Sequence, residues 1–207
     1  MRGLMRFRSL AYYRDYEEQE VRGDDNEGTS VYRPESGLAI TNYSQRTESV
    51  RANSAFEAEV KAGEIFVYCM SKADTPRIRA AFRAVACVEI MNVAEFCRRA
   101  EKALSGASFG GKPGRERIGH PVDYYSANAP PGPRWACPDL IACAKFDGYI
   151  WQHEYRLLFS RTEALKFENV MLTIVKGKAT RIIDPSQHHV CEVVAGSLED
   201  IAILHVL

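Results

Sequence analysis

The chain has 207 residues, 46% of them apolar, enough to bury one substantial core, and no shift of composition along it calls for a second domain. Its 27 basic residues balance 27 acidic ones, so a nucleic-acid partner has to come from a local patch, and no such cluster stands out along the sequence. The longest apolar runs, such as Glu64 to Met70, are too short to span a bilayer, and Met1 to Arg6 lack the apolar stretch of a signal peptide. The expectation is a cytosolic protein with no membrane partner. Six cysteines without a Cys-x-x-Cys pair point to reduced, buried thiols rather than disulfides or a zinc site.

In chain order, Leu4 to Arg8 predicts a strand, with Ser9 as N-cap of a helix from Leu10 to Glu18. Arg22 to Thr29, rich in Gly, Asp and Asn, predicts a surface loop, and Gly37 to Thr41 a strand inside a polar region of weak pattern. Glu64 to Met70 is continuous and aromatic-rich, as a central strand buried on both faces should be, and it ends at Ser71. Asp74 or Thr75 then caps a helix with Pro76 in its first turn. Ala84 to Met91 predicts a strand. Asn92 caps an amphipathic helix whose inner face carries Val93, Phe96, Cys97, Ala100 and Leu104.

Gly106 to Gly114 lacks the glycine spacing of a phosphate-cradling loop, since Pro113 and Gly114 follow Lys112, and predicts a flexible linker. Ile118 to Tyr125, with Pro121 missing a ladder donor, predicts an outer strand. A rigid loop from Ala129 to Pro133 and a short helix over Cys137 to Phe146 follow, with Trp135 as an aromatic lid over the core. Tyr149 to Ser160 predicts a strand on which Trp151, His153, Tyr155 and Leu157 face one way and Gln152, Glu154 and Arg156 the other. Three further strands follow, Val170 to Val175, Val190 to Val194 and Ile201 to Val206, the first two parted by a turn at Asp184 to Gln187. Helices lie between strands in the first half and strands crowd the second. This is the pattern of an α+β domain with a largely antiparallel sheet, whole or split.

An arginine on the first strand (Arg8, with Arg6 as competitor), a serine closing a later central strand (Ser71) and Gln152-His153-Glu154 on a still later strand occur in an order that resembles the Arg-Ser-Glu class of mono-ADP-ribosyltransferases. The resemblance implies NAD as cofactor, with Arg8 holding its phosphates or ribose, Ser71 supporting the nicotinamide pocket and Glu154 stabilising the cationic ribose. Gln152 would select the acceptor, a macromolecule that is either protein or nucleic acid. Tyr12, Tyr13, Tyr68 or Trp151 would wall the ring site. An oxocarbenium-like centre needs a nearby carboxylate, and a guanidinium fork suits diphosphate oxygens. No metal is expected. Arg8, Ser71, Gln152 and Glu154 should then be near neighbours in one cleft, with Arg8 or Arg6 within reach of Glu154.

A second run, Cys143-Ala144-Lys145-Phe146 followed by Trp151-Gln152-His153-Glu154-Tyr155-Arg156, resembles a motif of small bacterial and phage domains of unassigned function. That resemblance implies a fold and a gene context rather than a reaction; on the transferase reading the chain is expected to be a toxin, phage-defence or anti-defence factor. Two rival readings stand beside the transferase. Asp139 or Asp147 with Glu154-Tyr155-Arg156 mimics the Asp and Glu-x-Lys pattern of metal-dependent nucleases, which predicts a second carboxylate beside Glu154. The other is a non-enzymatic interaction or inhibitor module, in which Glu154 and Arg156 pair on an exposed strand face.

Overall fold

The computed structural model describes residues 3–16, 24–112, 114–130, 132–177 and 183–207. Glu17 and Glu18 of the expected first helix, Arg22 and Gly23 of the expected loop, Pro113 of the linker and Pro131 of the rigid loop lie outside the described residues.

The elements, in chain order, are β1 (Leu4–Ser9), α1 (Leu10–Arg14), β2 (Thr29–Tyr32), β3 (Leu38–Asn42), β4 (Thr47–Arg51), β5 (Ser54–Val60), β6 (Ile65–Ser71), α2 (Pro76–Ala81), β7 (Ala86–Ile90) and α3 (Val93–Ala103). The second half contributes β8 (Ser108–Phe109), β9 (Gly119–Pro121), β10 (Asp123–Tyr125), α4 (Pro138–Ala142), β11 (Ala144–Phe146), β12 (Glu154–Ser160), β13 (Val170–Lys176), β14 (Val190–Val194) and β15 (Ala202–Val206). The fold is α+β. Its main sheet runs β14-β1-β6-β12-β8, with β9 also on β12, and β13-β5-β2 form a separate sheet. Among the described strands every pair is antiparallel except β10 with β11.

Alternation along β12 and β6 explains why the main sheet is covered on both sides. Leu157 and Phe159 point into one core, with Met5 and Phe7 from β1, Phe96 and Ala100 from α3, and Leu104, which is its C-cap. Phe159 meets Phe7 edge-on at 5.0 Å and stacks on Phe66 at 5.1 Å. Leu158, Ile65 and Val67 point into a second core with Leu10 and Ala11 from α1, Ala58 and Val60 from β5, and Ile141 and Ala142 of α4. Trp135 covers this second core, stacked on Phe56 at 3.7 Å. Ser9 caps α1 as expected, its Oγ accepting from the Tyr12 amide, and Asn92 caps α3 in the same way through the Glu95 amide.

Several expected elements shift for local reasons. The first helix stops at Arg14, with Asp15 as C-cap. The expected surface loop turns inward at its end, where Asp24 and Glu27 are buried and Thr29 already opens β2. Val93, at the very start of α3, is exposed because the helix meets the core only from Phe96 onward. The expected linker contributes β8, which pairs with the end of β12. The expected outer strand breaks at Val122 into β9, paired with β12, and β10, paired with β11. Cys137 to Phe146 is not all helix: Pro138 opens α4, which ends by Cys143, and Ala144–Phe146 is strand. The expected strand from Tyr149 begins as a 3₁₀ turn over Asp147–Gln152, closed by His153 in the left-handed region at φ 47°, so β12 starts only at Glu154. Among the described residues no helix is long and apolar enough to cross a membrane.

Candidate functional site: a buried charge cluster on the central strands

The face of the main sheet that carries Leu158 and Val67 turns polar toward one end. Arg8 is paired with Val67 and Val67 with Leu158, so all three side chains leave the same face. Two-residue steps from that row reach Cys69 and Ser71 on β6, and Arg156 and Glu154 on β12, with Glu154 directly opposite Ser71. The strands bearing Arg8, Ser71 and Glu154 are therefore side by side, in that order, with the three side chains on one face.

Glu154 and Arg156 do not face water. Both are buried, together with Glu27, Lys145 and Gln152. The Arg156 Nε donates to Glu154 Oε1 at 2.7 Å, while its two terminal nitrogens fork onto Glu27 at 2.8 and 2.6 Å and Nη1 also donates to the Ala142 carbonyl at 2.6 Å. Lys145 Nζ donates to Glu154 Oε2 at 2.9 Å and to Gln152 Oε1 at 3.0 Å, and stands 3.4 Å from Glu27. Two carboxylates thus face two cations. Each element supplies its part: β12 carries Glu154 and Arg156, β11 brings Lys145, the turn before β2 brings Glu27, and the left-handed His153 swings Gln152 back toward Lys145. Tyr124 closes the edge, its hydroxyl accepting from the Glu154 amide at 2.8 Å.

Burial alone would raise the Glu154 pKa, but the charges of Arg156 and then Lys145 overcome it and hold the carboxyl at about 2. Burial would likewise discharge Lys145, yet Glu154 and Glu27 hold its pKa above the usual lysine range. Asp24, close to Glu27, behaves oppositely: burial and the Glu27 charge push it up to about 6. One Asp24 oxygen accepts from the Asn26 amide at 2.9 Å, and the other is buried without a hydrogen-bond partner among the described residues.

Of the residues expected to gather here, Glu154 and Gln152 meet through Lys145. Gln152 is not on the strand with Glu154, because the positive φ of His153 breaks the alternation, but its side chain still reaches the cluster. Ser71 Oγ donates to the Gln152 carbonyl at 2.7 Å and so ties that turn to β6. Tyr13 borders the same charges, and burial raises its pKa. Tyr12 instead lies under Arg8, whose guanidinium carbon is 4.4 Å from the ring centroid. Trp151 turns away from the cluster toward α2, where Arg77 and Phe82 meet its ring.

Arg8 and Glu154 are not near neighbours, contrary to expectation. Glu154 stands four residues along β12 from the row of Arg8 and two strands away, which separates their backbones by about 16 Å at ordinary strand spacings. The guanidinium bonded to Glu154 is that of Arg156. Arg6 is committed to Glu192 at 2.6 Å, whereas Arg8 has no carboxylate partner among the described residues. Tyr68 points into the opposite core. Cys143 and Cys191 are buried as expected, Cys69 is exposed, and all six cysteines are free.

Asp139 and Asp147 do not join Glu154. Asp139 sits on α4 and Asp147 starts the 3₁₀ turn, while both Glu154 oxygens are taken by cations. Among the described residues no group of three or more His, Cys, Asp or Glu is placed to hold a metal ion.

Sequence reasoning places Lys145 in one motif with Glu154 and Arg156 but assigns it no charge-pairing role, and it does not group Glu27 with them. Lys145 between Ala144 and Phe146 on a short apolar strand is the available signal, since a lysine buried there needs a counter-charge. Glu27, in a stretch of turn formers, carries none. Comparison of the chain with family models, with curated proteins and with solved structures finds no match among any of them.

Proposed function

We propose that the chain binds NAD and transfers its ADP-ribosyl group to a macromolecular acceptor. The observation that carries this reading is the adjacency of the strands bearing Arg8, Ser71 and Glu154, with all three side chains on one sheet face. Arg8 has no carboxylate partner among the described residues and stacks on Tyr12, which suits a diphosphate. Its separation from Glu154 fits two ends of an extended dinucleotide rather than a direct pair. Glu154, held ionised, has the charge needed beside a cationic ribose, and each of its oxygens keeps a second acceptor site beyond Lys145 and Arg156. The ribose would approach from the side of Ser71 and Cys69, which are exposed. Gln152, tied to Ser71 and Lys145, would lie beside the acceptor.

The test is incubation of the full chain with labelled NAD and cell lysate, with and without EDTA. Label transfer insensitive to EDTA is expected. Absence of both label transfer and nicotinamide release would refute the reading, and EDTA-sensitive strand cleavage would select the nuclease.

A second reading, a non-enzymatic binding module, is favoured by one observation: the charge cluster is closed on itself, two anions against two cations, as a purely structural polar core would be. It predicts a folded chain that leaves NAD intact.

A further inference from the structure

Beside the cluster, the end of β6 and the start of β12 share a rim. The Lys72 amide donates to the His153 carbonyl at 2.8 Å, which fixes Lys72 next to the Trp151-Gln152-His153-Glu154 run. From the other side α2 lays Arg77 over the Trp151 ring, guanidinium carbon to centroid 4.7 Å, and Phe82 packs near the same ring at 6.4 Å. The segment from Lys72 to Arg83 holds four cations and one carboxylate. That carboxylate, Asp74, is taken by Arg79 at 2.7 Å, so Lys72, Arg77 and Arg83 are left exposed without a carboxylate partner among the described residues. The neutral total charge hides this patch, because its cations and its aromatic platform come from two distant stretches of chain.

We infer that this rim binds a single-stranded nucleic acid, which is the acceptor presented to the Glu154 cluster. The acceptor role rests on the transferase reading; the binding does not. Two features favour a nucleic acid over an acidic protein. Lys72 and Arg77 at the rim and Arg83, which follows Phe82, are exposed cations without a carboxylate partner among the described residues, and they match a run of phosphates. The Arg77–Trp151 stack is a flat cationic platform of the kind on which unpaired bases stack, a contact an acidic peptide has no use for. Trp151 precedes Gln152 directly in the chain, so the platform flanks the cluster although its ring faces α2.

The experiment measures binding of fluorescent single-stranded DNA and RNA oligonucleotides to the full chain without NAD, by anisotropy. With about three phosphates neutralised, affinity should fall about 20-fold between roughly 50 and 200 mM salt. The exposed-residue variant Lys72→Glu/Arg77→Glu should weaken binding at least about tenfold while leaving the far-UV circular dichroism spectrum unchanged, and Trp151→Leu should cost about tenfold with a smaller change in the salt slope. No binding of either oligonucleotide, or equal displacement by oligoglutamate together with a neutral Trp151→Leu, would overturn the inference. Oligonucleotide binding without any transfer of label would leave the rim standing and sink the transferase. Label on lysate protein with no oligonucleotide binding would do the reverse.

Discussion

Replacing Glu154 by Gln removes one negative charge from a cluster in which both its oxygens are engaged and its side chain is 6% exposed. The introduced amide has one oxygen, so either Lys145 Nζ or Arg156 Nε must face an NH₂ group, and two cations are left against Glu27 alone. Breaking a buried pair in this way costs about 3–5 kcal/mol, a large share of the roughly 5–15 kcal/mol that holds a domain folded. In urea unfolding with a slope of about 2–3 kcal/mol per molar, the midpoint should drop by about 1–2 M at unchanged slope. Lys145→Met alone should also destabilise, and the double variant Glu154→Gln/Lys145→Met, which restores one cation against one anion, should lose less than the two single losses together. A Glu154→Gln loss under about 1 kcal/mol, or strict additivity in the cycle, would refute the description of the cluster as a coupled buried quartet. The cycle also matters for function. Loss of turnover in Glu154→Gln is informative only where the variant is shown to be folded, and the double variant offers a second folded background lacking the carboxylate.

Two further outcomes concern single residues. Asp24 has a folded pKa of about 6 against 3.8, so the folded state binds the proton more tightly; its burial costs stability above pH 6 and costs nothing below the unfolded pKa. Asp24→Asn should therefore stabilise by at most about 3 kcal/mol near neutral pH, with the gain fading as pH falls from the folded to the unfolded pKa; a gain that persists below both would contradict this account. His153 holds φ 47° and ψ 43°, a region that a β-carbon disfavours by about 1–2 kcal/mol. Set against the extra unfolded freedom of glycine, His153→Gly should be neutral to about 1 kcal/mol stabilising in thermal unfolding, and a clear loss would mean that the imidazole itself holds the turn.

What is legible in the sequence is whatever repeats or caps. The β6 run declares itself by continuous apolar residues, α3 by its periodicity and Asn92, and the Arg156-Glu154 face by alternation. What is not legible depends on single backbone conformations and on distant partners. Gln152 looks like the next step of the β12 alternation until His153 adopts a left-handed conformation, and no local pattern announces that a histidine will do so. β5 is hidden for a different reason: Ser54 to Val60 is half polar, and its pattern gains meaning only from β13, a partner strand far along the chain that pairs with it from Val170 to Lys176.

The cluster combines both obstacles. Glu27 is one acidic residue in a loop of turn formers, Lys145 one basic residue between small and aromatic neighbours, and Arg156 one more polar residue on an alternating strand. None of them is interpretable alone, because the free energy of burying each charge depends on the other three. Once β11 and β12 bring Lys145, Glu154 and Arg156 together, a single uncompensated cation remains, and the chain must supply a second carboxylate from elsewhere: Glu27 meets that requirement with both oxygens on Arg156. The same reasoning bears on the site's chemistry. A carboxylate kept ionised by two fixed cations, with its pKa at about 2, responds little to pH near neutrality, so any activity that depends on Glu154 should show no acid limb from this group in the ordinary carboxylate range. A pH–rate profile checks this directly, and a limb near pH 6 would point instead to Asp24, whose carboxyl is pushed up to about that value.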